Sequence, residues 1–178
     1  MADIDLGSVA VALARPLRIS PWRDADSAQQ PARDHANLTL LNGLAALDWP
    51  TGEHLAHQDD APQLQRLEAK LDLGLQLLAQ LLGNQTALPP TQSLLLSAQA
   101  LAWRDPNPPP ADDLHLELFI DARIPQPLQL KGRLDRQDGD YWIVRFCAVP
   151  DAVQDGLDRA VFRWHRRQVQ TGQNIKQN

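Results

Sequence analysis

The sequence predicts an α+β fold in which helices are combined with a small antiparallel β-structure. Two changes of period lead to this prediction. Apolar residues repeat at helical spacing from Pro62 to Leu82, alternate at strand spacing after Pro89, and return to helical spacing after Asp151. The chain has 178 residues, 43% of them hydrophobic, which is enough for one buried core. We therefore expect one domain, 1–178.

The N-terminal third is predicted to contain strand, loop and helix in that order. Alternation from Val9 to Ile19 predicts one or two short strands interrupted at Pro16. The segment Pro21–Pro31 is polar and is predicted to be a loop. Asp34 can cap a first helix that continues to about Asp48.

The segment Pro62–Leu82 is predicted to be a helix that is apolar around most of its circumference. Leucines at spacings of three and four form a stripe, and further leucines widen it beyond a two-stranded coiled-coil seam. One side should contact the protein's own domain and the other should contact copies of the chain. Gly74 lies on this seam, where backbones could approach closely. The predicted oligomerisation residues are Leu64, Leu67, Leu71, Gly74, Leu75, Leu78, Leu81 and Leu82.

The C-terminal half is predicted to form an antiparallel meander followed by a helix. The predicted strands are Ser93–Trp103, Leu114–Ile120, Leu128–Arg136 and Tyr141–Ala148. A hairpin is expected at Gln137–Asp140, because Asp-Gly supplies the positive φ of a tight turn. A final helix should run from Asp151 to about Val169. Residues 34–83 are therefore assigned to an inserted oligomerisation segment and residues 86–170 to the main strands and the C-terminal helix.

Charge and composition exclude several classes of protein. A net charge of −5 and an isoelectric point near 5.4 argue against a general nucleic-acid partner, because phosphate neutralisation needs excess Lys and Arg. The N-terminus carries no basic region followed by a long apolar run, so we expect no signal peptide and no membrane insertion. The single cysteine, Cys147, excludes an intrachain disulfide. We expect a cytoplasmic protein.

The sequence contains no recognisable catalytic motif. It lacks a P-loop, a dinucleotide-binding glycine motif, a nucleophile elbow and paired-cysteine metal ligands, so we expect neither an enzyme nor a resident cofactor. Cys147 is most simply a small core residue. Possible metal ligands cluster before the leucine helix, although a solvated connector is the favoured interpretation; they are Glu53, His54, His57, Asp59 and Asp60.

The arginines of the final helix have two interpretations. Arg159, Arg163, Arg166 and Arg167 include pairs three or four residues apart along one edge of the helix, so they could hold a phosphate, stack on guanine or meet an acidic protein patch. The simpler interpretation is a basic helix end that complements the dipole and pairs with Asp155 or Asp158, and it is favoured. Trp164 lies on the apolar face and is expected in the core.

The order of these parts resembles that of the PilZ domains, and specifically the atypical tetrameric branch. The most specific stretches are RLEAKLD at Arg66–Asp72 and FRWHRRQ at Phe162–Gln168. The resemblance implies a bacterial cytoplasmic protein of cyclic di-GMP signalling. It also implies a small antiparallel β-barrel of about six strands with inserted helices and a C-terminal helix, and tetramerisation through the leucine helix.

The sequence departs from the motifs of PilZ receptors that bind cyclic di-GMP. Those receptors share an RxxxR segment and a [D/N]xSxxG strand motif, and no RxxxR precedes the Ser93 strand. In the stretch LLSAQA only Ser97 matches, since Leu95 and Ala100 replace the acid or amide and the glycine. We therefore predict an oligomeric adaptor that binds an unidentified bacterial protein and binds cyclic di-GMP weakly or not at all. The alternative is a true receptor that uses a rearranged set: Arg15, Arg18, Ser97, Arg159, Arg163 and Arg166.

Overall fold

The computed structural model describes residues 4–47, 60–82, 87–121, 124 and 126–175. The described elements form a closed β-barrel with helices packed against it, which confirms the predicted α+β class. In chain order they are β1 (Ala10–Pro21), α1 (Asp24–Ala28), α2 (Gln30–Leu47), α3 (Asp60–Leu82), β2 (Thr91–Ser97), β3 (Ala100–Arg104), β4 (Asp113–Leu118), β5 (Leu128–Asp138), β6 (Tyr141–Cys147) and α4 (Asp151–Ile175).

The six strands pair antiparallel in the order β1-β2-β3-β6-β5-β4. The last three predicted strands, β4, β5 and β6, pair consecutively as a meander requires. The first predicted strand does not pair with β4, because β3 pairs with β6 and β4 pairs with β1. The twelve-residue β1 closes the barrel: Ala10–Pro16 pair with β2, and Leu17–Pro21 pair with β4.

Pro16 does not interrupt β1, contrary to the prediction. It lies where the strand changes partners, and its carbonyl accepts a hydrogen bond of 3.0 Å from the Phe119 N–H. A proline lacks an N–H group, but at this junction the strand continues with a new neighbour. The N-terminal alternation is therefore one long strand.

The predicted strand Ser93–Trp103 is two strands, β2 and β3, joined by a turn at Ala98 and Gln99. The Ser97 Oγ accepts hydrogen bonds from the backbone N–H groups of Gln99 (3.2 Å) and Ala100 (3.0 Å). A side-chain oxygen therefore stabilises the turn where the sequence offers no Gly, Pro or Asn. For this reason the turn between β2 and β3 cannot be recognised in the apolar run from the sequence alone.

The core fills the barrel and continues into the contact between α2 and α4. Leu40, Leu41 and Leu44 of α2 pack with Val153 and Leu157 of α4. Burial of each large aliphatic side chain contributes roughly 1.5–3 kcal/mol. The buried barrel residues in this cluster are Val11, Leu17, Leu94, Leu96, Leu101, Trp103, Leu114, Leu116, Leu118, Leu128, Leu130 and Val144.

The segment predicted to be a polar loop, Pro21–Pro31, contains α1 and the start of α2. Helix α2 begins at Gln30, four residues before the predicted cap Asp34, which instead accepts a hydrogen bond from the Gln30 Nε2 (2.7 Å). Pro31 lies in the first helical turn, where a missing N–H costs nothing. The buried Arg33 pairs with Asp26 of α1 at 2.7 Å and joins the two helices.

A cluster around Trp22 lies where α1 and α2 meet the outer face of the barrel. The Arg33 guanidinium lies 5.4 Å and the Lys131 ammonium 5.2 Å from the Trp22 ring centroid, and His115 meets the ring edge-on at 5.9 Å. Burial, reinforced by the charge of Arg33, lowers the pKa of His115. The two cations can therefore lie over Trp22 beside an uncharged imidazole.

Helix α2 has buried residues along its length and packs against β5, α4 and α3. The Asn37 side chain donates to the Gln129 carbonyl (2.7 Å) and accepts from the Gln129 N–H (2.8 Å), which fixes α2 to β5. Gly43 of α2 faces Leu73 of α3, which is 3% exposed. A Cβ at position 43 would lie 2.5 Å from the Leu73 Cδ2 and 2.8 Å from its Cβ.

Two smaller expectations also need correction. Helix α4 continues to Ile175, beyond the predicted end at Val169. Cys147 is half-exposed rather than a core residue. It pairs with Lys131 at the end of β6, and the inward position of Val144 places alternate residues, Cys147 included, on the outer face.

Candidate functional site

An exposed leucine stripe follows one side of α3. Leu73 on the opposite side is buried against α2, and Leu77 is half-buried in the same cluster. The stripe spans about 21 Å, at 1.5 Å per residue over fourteen residues. The exposed fractions are 57% for Leu64, 63% for Leu67, 61% for Leu71, 57% for Leu75 and 59% for Leu78.

The spacing of this stripe is that of a coiled-coil seam. Leu64, Leu71 and Leu78 are seven residues apart, and Leu67 and Gly74 occupy the second apolar position of the heptad. A Cβ at Gly74 would meet nothing within 4 Å, so this glycine is not required by packing within the protomer. For Leu81 and Leu82 only the helical backbone is described.

The β2–β3 turn contains Ser97, the residue that matches the PilZ strand motif. Ser97 is fully buried, and its hydroxyl is occupied by the turn: it accepts the two N–H bonds given above and lies 3.3 Å from the Ala100 carbonyl. The N-terminal segment covers the adjoining outer face, where buried Ile4 and Leu6 pack on Ala100, Ala102 and Ile143. The turn therefore presents no hydroxyl to solvent.

The structure does not bring Arg15 or Arg18 beside Ser97. Ala10 pairs with Ser97, and Arg15 is five residues further along β1, or about 17 Å at the rise of an antiparallel strand. Arg18 lies beyond it on the outer face, where it pairs with Glu117 at 3.0 Å and donates to the Ala87 carbonyl at 3.2 Å.

Arg15 lines a cavity of about 350 Å³ between β1 and α4. Its Nε donates to the Ile120 carbonyl (2.6 Å), and the half-buried Trp164 lies in the same wall. Arg167 and Gln168 also line it, and the Gln168 amide donates to the Ala12 carbonyl.

The remaining arginines of the set are distributed along α4. Arg159 and Arg166 are exposed, and Arg163 is half-buried. None of the three lines the cavity that contains Arg15. The six candidate residues therefore lie on several surfaces rather than in one pocket.

Two arginines that the sequence did not single out lie closer to the β2–β3 turn. Arg145 pairs with Ala100 across the β3–β6 ladder, and both Arg145 and Arg136 contact Asp135, at 3.2 and 2.8 Å. Arg136 also donates to the Asp5 carbonyl (3.0 Å). The non-local pairing of β3 with β6 brings these arginines close to the β2–β3 turn. The sequence indicated only that β6 is a strand, through its alternation, and not which strand it pairs with.

The described residues offer neither a metal-binding cluster nor a membrane-spanning helix. Within the described residues, no group of three or more His, Cys, Asp or Glu side chains could hold a metal ion. Of the earlier candidates, Glu53, His54, His57 and Asp59 lie outside the described residues, and Asp60 is the first residue of α3. None of the described helices is both long and apolar enough to span a bilayer.

Comparison with known proteins identifies a family and a similar solved structure. The family model for the atypical PilZ domain, described as a cyclic di-GMP receptor, matches residues 41–173. The chain is also similar to a pathogenic protein from Xanthomonas campestris, described as a new tetrameric PilZ domain self-assembled via an unusual helical bundle. The identity is 24%, the TM-score is 0.63, and the match covers 94% of this chain and 93% of the other. No curated protein sequence matches significantly.

Proposed function

This chain belongs to the atypical PilZ domain family, and on that premise we propose that it is an oligomeric protein-interaction adaptor of bacterial cyclic di-GMP signalling. In this proposal it assembles through α3 in the cytoplasm, and it binds cyclic di-GMP weakly or not at all. The exposed leucine stripe of α3 carries the proposal.

Self-assembly is supported by the amount and arrangement of exposed apolar surface. Five leucines on one helix face are each more than half exposed, and burying such a side chain contributes roughly 1.5–3 kcal/mol. A stripe with heptad spacing is covered most simply by the same stripe on other copies. Leu75 widens the stripe beyond a two-stranded seam, which favours four helices around one axis. The helical-bundle tetramer named for the Xanthomonas protein is consistent with this proposal.

Residues 34–83 therefore act as the assembly segment, and residues 86–170 supply most of the barrel and α4. A tetramer would present each protomer's outer surface four times. Repeated copies raise the avidity for a multivalent protein partner without any new contact. The unidentified partner is thus expected to bind the assembly more tightly than it binds one chain.

Weak or absent cyclic di-GMP binding is supported by the β2–β3 turn. A dinucleotide with two guanines and two phosphates needs guanidinium groups and polar groups that face its edges. Here Ser97 is buried within its own turn, and Leu95 packs against the cluster of Ile4 and Leu6. Ala100 is fully buried in the same cluster, so the side-chain groups that would read a guanine edge are lacking at these three positions.

Calorimetric titration of the full chain with cyclic di-GMP is expected to give a dissociation constant weaker than about 10 μM. Loss of two or three contacts worth roughly 1–3 kcal/mol each would move a micromolar ligand toward the millimolar range. Binding tighter than about 10 μM would contradict this part of the proposal. It would not bear on assembly through α3.

The alternative function is a cyclic di-GMP receptor that uses the rearranged arginine set. Its one supporting observation is the cavity that both Arg15 and Trp164 line, since a guanine base can stack on aromatic rings and guanidinium planes. If the titration shows tight binding, Arg15→Ala should weaken it at least about tenfold, or 1.4 kcal/mol. Arg133→Ala is the matched control, because Arg133 is outside this set, is exposed and pairs with Asp113.

Gly74→Leu is expected to loosen the assembly while leaving the protomer folded. The position is open within the protomer, and helix propensity favours leucine over glycine by up to about 1 kcal/mol. Any loss of oligomer stability must therefore arise at the contact between α3 and another copy. The measurement is the dilution at which the oligomer dissociates, with Gly74→Ala as the smaller control. A tighter oligomer for Gly74→Leu would show that no close backbone approach occurs there.

A further inference from the structure

Helix α4 has an outward face that its own protomer does not cover. Its opposite face packs into the core through Val153, Leu157 and Ala160. At 100° per residue, Phe162 and Val169 point away from that core face, and they are 55% and 45% exposed. Phe162 and Val169 are seven residues apart, so this face carries more than one exposed apolar side chain.

The charges on this face are unevenly distributed along the helix. Asp151, Asp155 and Asp158 precede Phe162, Arg159 precedes it by three residues, and Arg166 follows it by four. All five are exposed. In the described part of the chain, neither Arg159 nor Arg166 makes an ion pair with a neighbour. The face is therefore acidic up to Asp158, the exposed Arg159 and Arg166 flank Phe162, and Val169 follows Arg166.

We propose that α4 pairs antiparallel with α4 of a second copy, around a two-fold axis at Phe162. In that arrangement residues equally far before and after Phe162 face each other. Asp158, four residues before, then faces Arg166, four residues after, and the pair occurs twice. The two Phe162 rings meet at the axis and supply the apolar centre of the contact.

The charge pattern selects both the orientation and the occupant. Parallel pairing would place aspartates against aspartates and arginines against arginines, which is repulsive. Antiparallel pairing joins opposite charges and opposes the two helix dipoles. An acidic protein patch was the less favoured interpretation of these arginines, and here it is supplied by the same helix of another copy. Exposed ion pairs contribute only about 0–1 kcal/mol each, so they chiefly set the orientation. The contact uses a different helix from the α3 stripe and does not depend on it.

Disulfide trapping tests this contact directly. In a Cys147→Ser background, Phe162→Cys places one thiol at the two-fold axis, whereas Asp151→Cys places it on the same face eleven residues away. Two copies of position 151 would then be separated by about 33 Å along the paired helices. We expect cross-linked dimers to form at least about tenfold faster for Phe162→Cys, because paired thiols have a raised effective concentration. Equal rates at the two positions would overturn the proposal.

Charge reversal provides a second test, in which restoration of the rate by the double change distinguishes a lost contact from misfolding. Added to the Phe162→Cys chain, Asp158→Arg or Arg166→Asp alone should slow cross-linking about threefold to tenfold, because each creates two like-charge contacts. The two reversals together should restore the original rate. If the double reversal stays as slow as either single change, the proposed register is wrong.

The same trapping in a Leu78→Glu chain separates this contact from assembly through α3. We expect the faster reaction at position 162 to persist there, even if the α3 oligomer is lost. If the preference for position 162 disappears with Leu78→Glu, the α4 contact is only a consequence of α3 assembly and the proposal fails. Whether or not α3 holds wild-type chains together, the comparison of cross-linking rates at positions 162 and 151 still reports on α4 alone.

Discussion

Leu78→Glu is expected to abolish assembly through α3 while leaving the barrels folded. Leu78 is 59% exposed in the protomer and lies on the leucine stripe, so its glutamate is solvated in a monomer. In a packed helical seam the same carboxylate would be buried without a partner, at a cost of several kcal/mol per copy. The carboxylates of neighbouring copies would also repel one another. Light scattering should show the fall in mass, and circular dichroism should remain unchanged.

Gln65→Glu is the matched control for that experiment. Gln65 is an exposed residue of α3 that faces the groove toward α2 rather than the leucine stripe. The substitution adds the same negative charge to the same helix, and the oligomer mass should stay that of the wild type. If Leu78→Glu also keeps the wild-type mass, the leucine stripe is not the assembly surface.

Gly43→Leu is expected to give the second large effect, by separating α2 from α3. Even a Cβ at this position meets the Cβ of Leu73 at 2.8 Å, which rotation of the Leu73 side chain cannot relieve. The helices must move apart, at a cost of about 1–3 kcal/mol from overpacking, partly offset by up to about 1 kcal/mol of helix propensity. Denaturant unfolding should show the loss of stability. Because α3 packs on α2, the oligomer should also weaken.

Asn42→Leu adds a similar side chain at the preceding, exposed position of α2. It should unfold close to the wild-type midpoint. An unchanged midpoint for Gly43→Leu would mean that α2 and α3 do not pack as closely as the structure places them.

The leucine pattern of α3 shows how much of the candidate site could be predicted from sequence. Heptad spacing is local, so the seam of Leu64, Leu71 and Leu78 could be found without a structure. The prediction also required part of the helix to pack on its own domain. Spacing alone could not show that this part is Leu73, because that contact depends on Gly43, thirty residues earlier in the chain.

The failed predictions involve contacts between distant segments or turns made by side chains. The order of strands depends on pairings such as β3 with β6, which alternation within one strand does not encode. The β2–β3 turn is stabilised by the Ser97 hydroxyl within an apolar run. Helix α2 begins at Gln30, next to Pro31, which lies in the segment predicted to be a loop. The positions of Arg15 and Ser97 relative to each other could not be predicted for the same reason, since they follow from the β1–β2 register.

The mass of the unmodified chain in solution tests the central claim most directly. At micromolar concentration, sedimentation equilibrium should give an oligomer, and the proposed tetramer corresponds to four times 19.8 kDa, or about 79 kDa. Pairing through α4 alone gives dimers, so a tetramer requires that the exposed leucines of α3 also be covered by other copies. A mass of 19.8 kDa, unchanged on concentration, would contradict assembly as the function of the leucine helix.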